Sequence, residues 1–427
     1  MQIIEPIIRR FDLRFILLFI LSILLYGCNS NYMKILPNEE NRKESSNSVD
    51  KSEKQINIDE LLLEKEVIEI TNLNTINKIA LLLPMTGKYS KIGKAILNGI
   101  EIELKATSKY IKPELSIFDT GDEDTDLKKI YSEMLSNDFD YVIGPLRKDF
   151  IEKISKYSSK ELPVLTLNYS NNLKKYSKKV YQFGLLPEDE AICIAEKAII
   201  DGNINASALY PDNTWGKRIV ESFTLRFQEL GGNVTNLLKY NIEDTKINNS
   251  IKNLLNIEES TKRKNHMQNI LKTKLQFKPH IANNLDMIFS VGKSEDMRVI
   301  KPQFNFNYAE DIPFYSTSHI YNGVYNKEIN QDLNNIKFCD IPWLYNTNNM
   351  LEKKYLRESV DKRDLLRFVA IGMDSIKIIY NINTLELNKH KYLLGNTGFL
   401  RLDEFNKIRR NLTIVKFKNG KAKEIPF

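Results

Sequence analysis

From Lys78 onward, short continuous apolar runs alternate with amphipathic stretches of helical period, and that alternation leaves few folds open. The first run is Ile79–Leu83, broken by Pro84-Met85-Thr86-Gly87, after which Ile92, Ala95, Ile96, Gly99 and Ile102 share one helical face. An unbroken apolar strand feeding a helix belongs in a parallel sheet covered on both sides. The spacing predicts further strands over 115–119, 141–144, 164–167 and 181–184, with helices over 126–136 and 150–157. Pro187-Glu188-Asp189-Glu190 then opens a helix whose first-turn carboxylates suit the macrodipole. A second series follows, with strands over 206–210, 234–240, 286–291 and 313–317 and helices over 215–230, 247–255 and 294–301. Two such series are too much for one sheet of ordinary size. The expected architecture is therefore α/β, with two parallel-sheet lobes, a hinge and a cleft between them. Glu258 to His280 is polar and Lys-rich and reads as a surface insertion in the second lobe.

The amino end carries a different message. Arg9, Arg10 and Arg14 precede the apolar run Phe15–Tyr26, and Leu25-Tyr26-Gly27-Cys28 has the form of a lipoprotein processing site. Twelve apolar residues fall short of the roughly 20 that a spanning helix needs. Residues 1–27 are thus expected to be a cleaved signal peptide, with Cys28 carrying the lipid. Asn29, where an Asp would retain many bacterial lipoproteins at the inner membrane, points to an outer-membrane anchor facing the periplasm. Residues 28–75 are expected to form a tether, rich in Asn, Ser, Lys and Glu as far as Asn57, with a short helix over Ile58–Ile70. Fully drawn out, a tether of that length reaches about 160 Å.

The formal charge of +7 falls to +6 without residues 1–27, which hold three arginines and two carboxylates. No basic run is interleaved with aromatics, so nucleic acid is not an expected partner. Cys193 and Cys339 lie in apolar stretches compatible with either a disulfide or buried free thiols. The four histidines are scattered without ligand spacing, and no metal or cofactor is expected. Gly87, Gly93 and Gly99 are six apart, which matches neither a dinucleotide loop nor a P-loop. No G-x-S-x-G elbow is present. His319 is the best candidate for a base, but a hydrogen-bonded residue at a strand end is the preferred account of it. Asp122-Glu123-Asp124 and Asp126 lack EF-hand spacing and read as a solvated loop. An enzyme is not expected. At the carboxyl ends of strands, Thr86, Gly87, Arg147 and Asn168 are the residues placed to line a cleft. Their plain structural roles would be a cap or turn for Thr86, a solvated charge for Arg147 and a strand end for Asn168.

Several strings carry a resemblance. Ile79–Gly99 resembles the opening unit of type I periplasmic binding proteins of the branched-chain amino-acid kind. Ala80–Gly87, Gly144–Leu146, Pro163–Asn168, Phe183–Glu190, Trp215-Gly216, Ser316–Tyr321, Lys337–Trp343 and Gly395–Asp403 followed by Ile408–Arg410 together resemble the C-terminal domain of LpoA-type penicillin-binding-protein activators. The resemblance implies a type I periplasmic-binding-protein-like fold whose lobes exchange chain more than once: 76–184 with 318–395, and 185–317 with 396–427. It further implies a non-catalytic outer-membrane lipoprotein that binds and activates a class A penicillin-binding protein. The alternative is a lipid-anchored substrate-binding protein delivering a small solute to an ABC transporter. Against a free amino-acid ligand, Gly144-Pro145 is followed by Leu146-Arg147-Lys148, not by small hydroxyl residues. The large helical repeat domain of such activators has no counterpart in the short stretch between Cys28 and Lys78.

Overall fold

The computed structural model describes residues 65–68, 75–106, 112–170, 179–241, 247–281, 284–323, 325–346, 350, 353–355 and 364–427. The expected signal peptide, Cys28 and most of the expected tether lie outside them.

A first sheet of five strands is built from β1 (Lys78–Leu83), β2 (Glu114–Asp119), β3 (Tyr141–Ile143), β4 (Val164–Thr166) and β5 (Val180–Gln182). Its order is β2-β1-β3-β4-β5, with every pairing parallel. Helices α1 (Ser90–Ala106), α2 (Leu127–Ser136) and α3 (Lys148–Tyr157) connect the strands. β1 is buried along five of its six residues, as its unbroken apolar run requires.

The chain then enters α4 (Pro187–Ile200) and builds a second sheet. This takes β6 (Asn205–Pro211), α5 (Thr214–Glu229), β7 (Asn233–Tyr240), α6 (Ile247–Leu254), α7 (Ile257–Leu271), β8 (Met287–Ser290), α8 (Ser294–Phe306), β9 (Phe314–Thr317) and β10 (Lys337–Asp340). The long helix α9 (Leu366–Leu387) returns to the first sheet. A small antiparallel sheet follows, of β11 (Leu393–Leu394), β12 (Phe399–Leu402) and β13 (Ile408–Asn411), and β14 (Thr413–Lys418) and β15 (Lys421–Ile425) finish the chain. The second sheet runs β15-β14-β10-β9-β8-β6-β7, parallel from β7 to β10 and antiparallel at β14 and β15.

The assignment of 318–395 to the first lobe divides differently. β10 pairs with β9 and β14, so Ser318–Asp340 continues the second βα series and the chain leaves that sheet only after Asp340. Leu400, Leu402 and Ile408, expected in the second lobe, pack instead into the core that holds Ile79, Leu81 and Leu83. The boundary expected at 318 came from analogy with relatives; strand pairing moves it. The expected helix over Ile58–Ile70 also gives way where residues are described. Val67 forms a parallel bridge with Tyr392, and Ile68 N donates to Tyr392 O at 2.8 Å. The stretch expected to be free tether up to residue 75 is thus already docked at Lys65–Ile68. The Lys-rich insertion is mainly helix α7, of which Ile257 and Ser260 are the buried residues.

Helices α1 and α9 cross at backbone contact. A Cβ on Gly99 would lie 1.9 Å from Val369 O, and one on Gly372 would lie 2.0 Å from Ile96 O. The helices meet there because neither carries a side chain. Cys193 on α4 and Cys339 on β10 form a disulfide across a separation of 146 residues, resolving the two readings of these thiols in favour of the bond. Replacing both cysteines with alanine is expected to cost about 2–5 kcal/mol. The check is urea unfolding of the oxidised protein against the double variant; equal midpoints would show that the bond constrains nothing.

Candidate functional site

Several of the strings that carry the resemblance meet at the cleft between the two sheets. Glu190 comes from the first turn of α4, Ser318 and His319 from the end of β9, Asp340 from the end of β10 and Arg367 from the first turn of α9. A cavity of about 400 Å³ is lined from the first lobe by Leu146 and Asn168 and from the second by Glu190 and His319, with Arg367 and Phe368 between them. It adjoins a second hollow of about 550 Å³ that shares Leu146, Asn168 and Phe368 and extends to Lys88, Gly121 and Arg147.

The buried charges at the centre of this cleft are paired within the protein. Arg367 donates to Asp340 through Nε at 2.8 Å and a terminal nitrogen at 2.6 Å, the two-pronged geometry that makes arginine–carboxylate pairs strong. The same guanidinium donates to Tyr321 O at 3.3 Å, and Tyr345 Oη donates to Asp340 at 2.8 Å. Burial works against the Arg367 charge, but Asp340 beside it holds the guanidinium protonated above its ordinary range. Glu190 accepts from Ser318 N at 2.7 Å and from Ser318 Oγ at 2.9 Å. Burial, reinforced by the nearby Asp340 carboxylate, pushes the Glu190 carboxyl up to about 7. His319 Nδ1 lies 3.7 Å from Glu190, yet burial and then Arg367 press the imidazole down to about 4. The pair is therefore not a salt bridge at neutral pH, because the imidazole is uncharged. His319 packs edge-on against Trp215 at 5.0 Å and shares a hydrogen bond with Thr317 Oγ1 at 3.1 Å. Ser318 Oγ is engaged by Glu190.

The four residues expected at the cleft have separate fates. Arg147 and Asn168 do line it. Arg147 is tied to Asp149 at 2.8 and 3.2 Å, and its guanidinium carbon sits 4.3 Å from the centre of the Phe150 ring. Asn168 donates to Leu146 O at 3.2 Å and accepts from Tyr169 N at 2.9 Å, shaping the turn that follows β4. Thr86 and Gly87 are exposed and line neither hollow. Thr86 Oγ1 donates to Asp119 at 2.7 Å, and Gly87 adopts φ +69° with Gly121 O 2.9 Å from where its Cβ would be. Burial of Asp119 is outweighed by hydrogen bonds from Thr86, Met85 and Gly121, which hold its carboxyl below the ordinary range. Asp122 and Asp126 serve their own loop, Asp126 capping α2 through Lys128 N and Lys129 N. Among the described residues no cluster of His, Cys, Asp and Glu could hold a metal ion.

Sequence reasoning singled out neither Glu190 nor Asp340 nor Arg367 as a functional group. The usable signal was a lone charge inside an apolar run, as with Asp340 between Cys339 and Ile341, because a buried charge must be paired. Asp374 obeys the same logic on α9, accepting from Asn396 N, Thr397 N and Thr397 Oγ1 at 2.6–2.7 Å. That carboxylate pins the Gly395–Gly398 string.

The raised Glu190 carboxyl has a testable sign. A folded state that prefers the protonated acid loses stability as pH rises from the ordinary value of 4.5 through about 7. The slope is at most about 1.4 kcal/mol per pH unit. Glu190→Gln should remove that loss, so melting curves at pH 5 and pH 8 should show wild type losing more on going to pH 8 than the variant. Parallel losses would mean that Glu190 ionises freely.

With this geometry in hand, the relatives are informative. The LpoA C-domain of Haemophilus influenzae, described as a regulator of PBP1A, superimposes with a TM-score of 0.65 at 22% identity, covering 82% of this chain and all of that one. A "putative branched-chain amino acid ABC transporter" of Chromobacterium violaceum gives 0.60 at 18% identity over 80% of this chain and all of its own. Both likenesses establish the type I periplasmic-binding-protein-like fold. In sequence, the penicillin-binding protein activator LpoA of Photobacterium profundum is 25% identical over 83% of this chain, and that of Vibrio antiquarius is 26% identical over 82%. The chain spans 58% and 59% of the length of these two relatives. Matched over residues 53–420, the chain belongs to the family described as "LppC putative lipoprotein".

Proposed function

We propose that this protein is a non-catalytic, lipid-anchored lipoprotein of the outer membrane, facing the periplasm, that binds and stimulates a class A penicillin-binding protein. The observation that carries the reading is the committed cleft. Asp340 and Arg367 neutralise one another, Glu190 is satisfied by Ser318, and Arg147 is held by Asp149. A solute receptor of this fold needs free polar groups to hold its ligand's charged ends, and here Arg367, Asp340, Glu190 and Arg147 are already engaged within the protein. The relatives named penicillin-binding protein activators, and the lipoprotein family itself, support the same reading.

In this reading the lipid sits on Cys28, and the described residues begin at Lys65. The intervening 36 residues could reach about 130 Å when fully extended. A tether of that length lets the domain meet an enzyme anchored in the opposite membrane. Stimulation then requires that the domain bind the enzyme's active conformation more tightly than its resting one. The likeness to ABC-transporter proteins keeps a solute receptor as the competing outcome.

The test is glycan polymerisation and crosslinking by a purified class A penicillin-binding protein from the same cell, with and without the mature lipoprotein. A several-fold rise that saturates with lipoprotein is expected. Recovery from envelope extract of an ABC permease, with no synthase captured and no change in rate, would overturn the proposal.

A further inference from the structure

We infer that a cavity on another face of α4, away from the cleft, binds a small molecule through an oxyanion, either carboxylate or phosphate, held by Arg401 and Lys65. The cavity encloses about 700 Å³, and its wall includes Lys65, Glu196, Arg226, Tyr392, Arg401 and Phe427. Asp189, Cys193 and Glu196 present one stripe of α4 to it, whereas Pro187 and Glu190 present another to the cleft. The site is independent of the docking role proposed above.

The argument rests on which charges in this cavity are spoken for. Arg226 is paired with Glu196 at 2.7 Å and Glu229 at 3.1 Å. Arg409 reaches Asp403 at 2.9 Å and Asp189 at 3.8 Å, and Arg410 reaches Asp189 at 3.3 Å. Arg401 is different. Among the described residues its buried Nε has no hydrogen-bond partner, and its guanidinium carbon lies 5.9 Å from the centre of the Tyr392 ring. Lys65 likewise has no carboxylate at pairing distance among the described residues. Its Nζ lies over the rings of Phe399 at 5.3 Å and Phe427 at 5.7 Å. Burial lowers the pKa of Lys65, and Glu196 opposes this only in part.

A buried guanidinium N–H without an acceptor is costly and rare, and it calls for a group that the protein itself does not supply. The planar fork of arginine matches carboxylate and phosphate oxygens, and a nearby ammonium adds a second charge-assisted donor. A bare oxyanion would leave most of this volume empty. Tyr392, Phe427, Ile192 and Leu412 also line the cavity and give the remainder of a larger ligand apolar surface.

The test uses citrate and inorganic phosphate as probes, followed by calorimetry and thermal shift on the full chain. At least one probe should bind saturably to wild type. Arg401→Gln should weaken that binding at least tenfold and Lys65→Gln should weaken it measurably, while Arg147→Gln in the cleft leaves it unchanged. Preference for citrate assigns a carboxylate ligand, and preference for phosphate assigns a phosphoryl one. If Arg401→Gln fails to fold, Lys65→Gln alone carries the test, because it sits on the segment preceding β1. Absence of saturable binding by both probes, binding indifferent to Arg401 and Lys65, or binding lost in Arg147→Gln would each overturn the inference.

Discussion

The contact on which the rest of the architecture leans is the buried pair between Asp340 and Arg367. Asp340 ends a strand of the second sheet, and Arg367 begins the helix that returns the chain to the first. That helix meets α1 at backbone contact through Gly372 and Gly99, and α1 packs under β1. One residue before Asp340, Cys339 is bonded to α4, the element that opens the second lobe. A short continuous path of covalent, ionic and packed contacts therefore links the two sheets. Removing one member of a buried ion pair strands the other charge, typically at about 3–5 kcal/mol, so each partner is held in place by the other.

That pair also decides what the cleft can do. In a solute receptor, the residues at the carboxyl ends of the strands face a vacancy and wait for a charged ligand. Here Arg367 is paired with Asp340, the neighbouring Glu190 is buried against Ser318, and the His319 imidazole is kept neutral. The fold is shared with transporter proteins, but the chemistry at its centre is self-contained. Fold alone would have left both readings open; the hydrogen bonds within the cleft favour docking.

Much of the architecture was legible in the chain. Continuous apolar runs such as Ile79–Leu83 and Ala206–Tyr210 became buried parallel strands, because a strand covered on both faces has no need of polar alternation. The boundary between lobes was less legible. Lys337–Asp340 is a four-residue strand whose sheet is set by long-range pairing with β9 and β14, which local pattern cannot encode. Lys65–Ile68 was read as tether, since a single bridge to Tyr392 leaves no periodic trace. At the site, Arg147 and Asn168 were found because they follow strand ends. Glu190 was read only as a helix-start carboxylate, and Arg367 was not singled out. Their significance comes from partners 128 and 27 residues away in sequence.

Lobes braced by these contacts hold one arrangement and do not close on a solute. The most direct measurement is the distance distribution between spin labels at Lys153→Cys on α3 and Lys217→Cys on α5, with and without an extract of small periplasmic solutes. A single narrow distribution, the same in both samples, is the expected result. A second distance that grows when solute is added would contradict it and return the protein to the transport receptors.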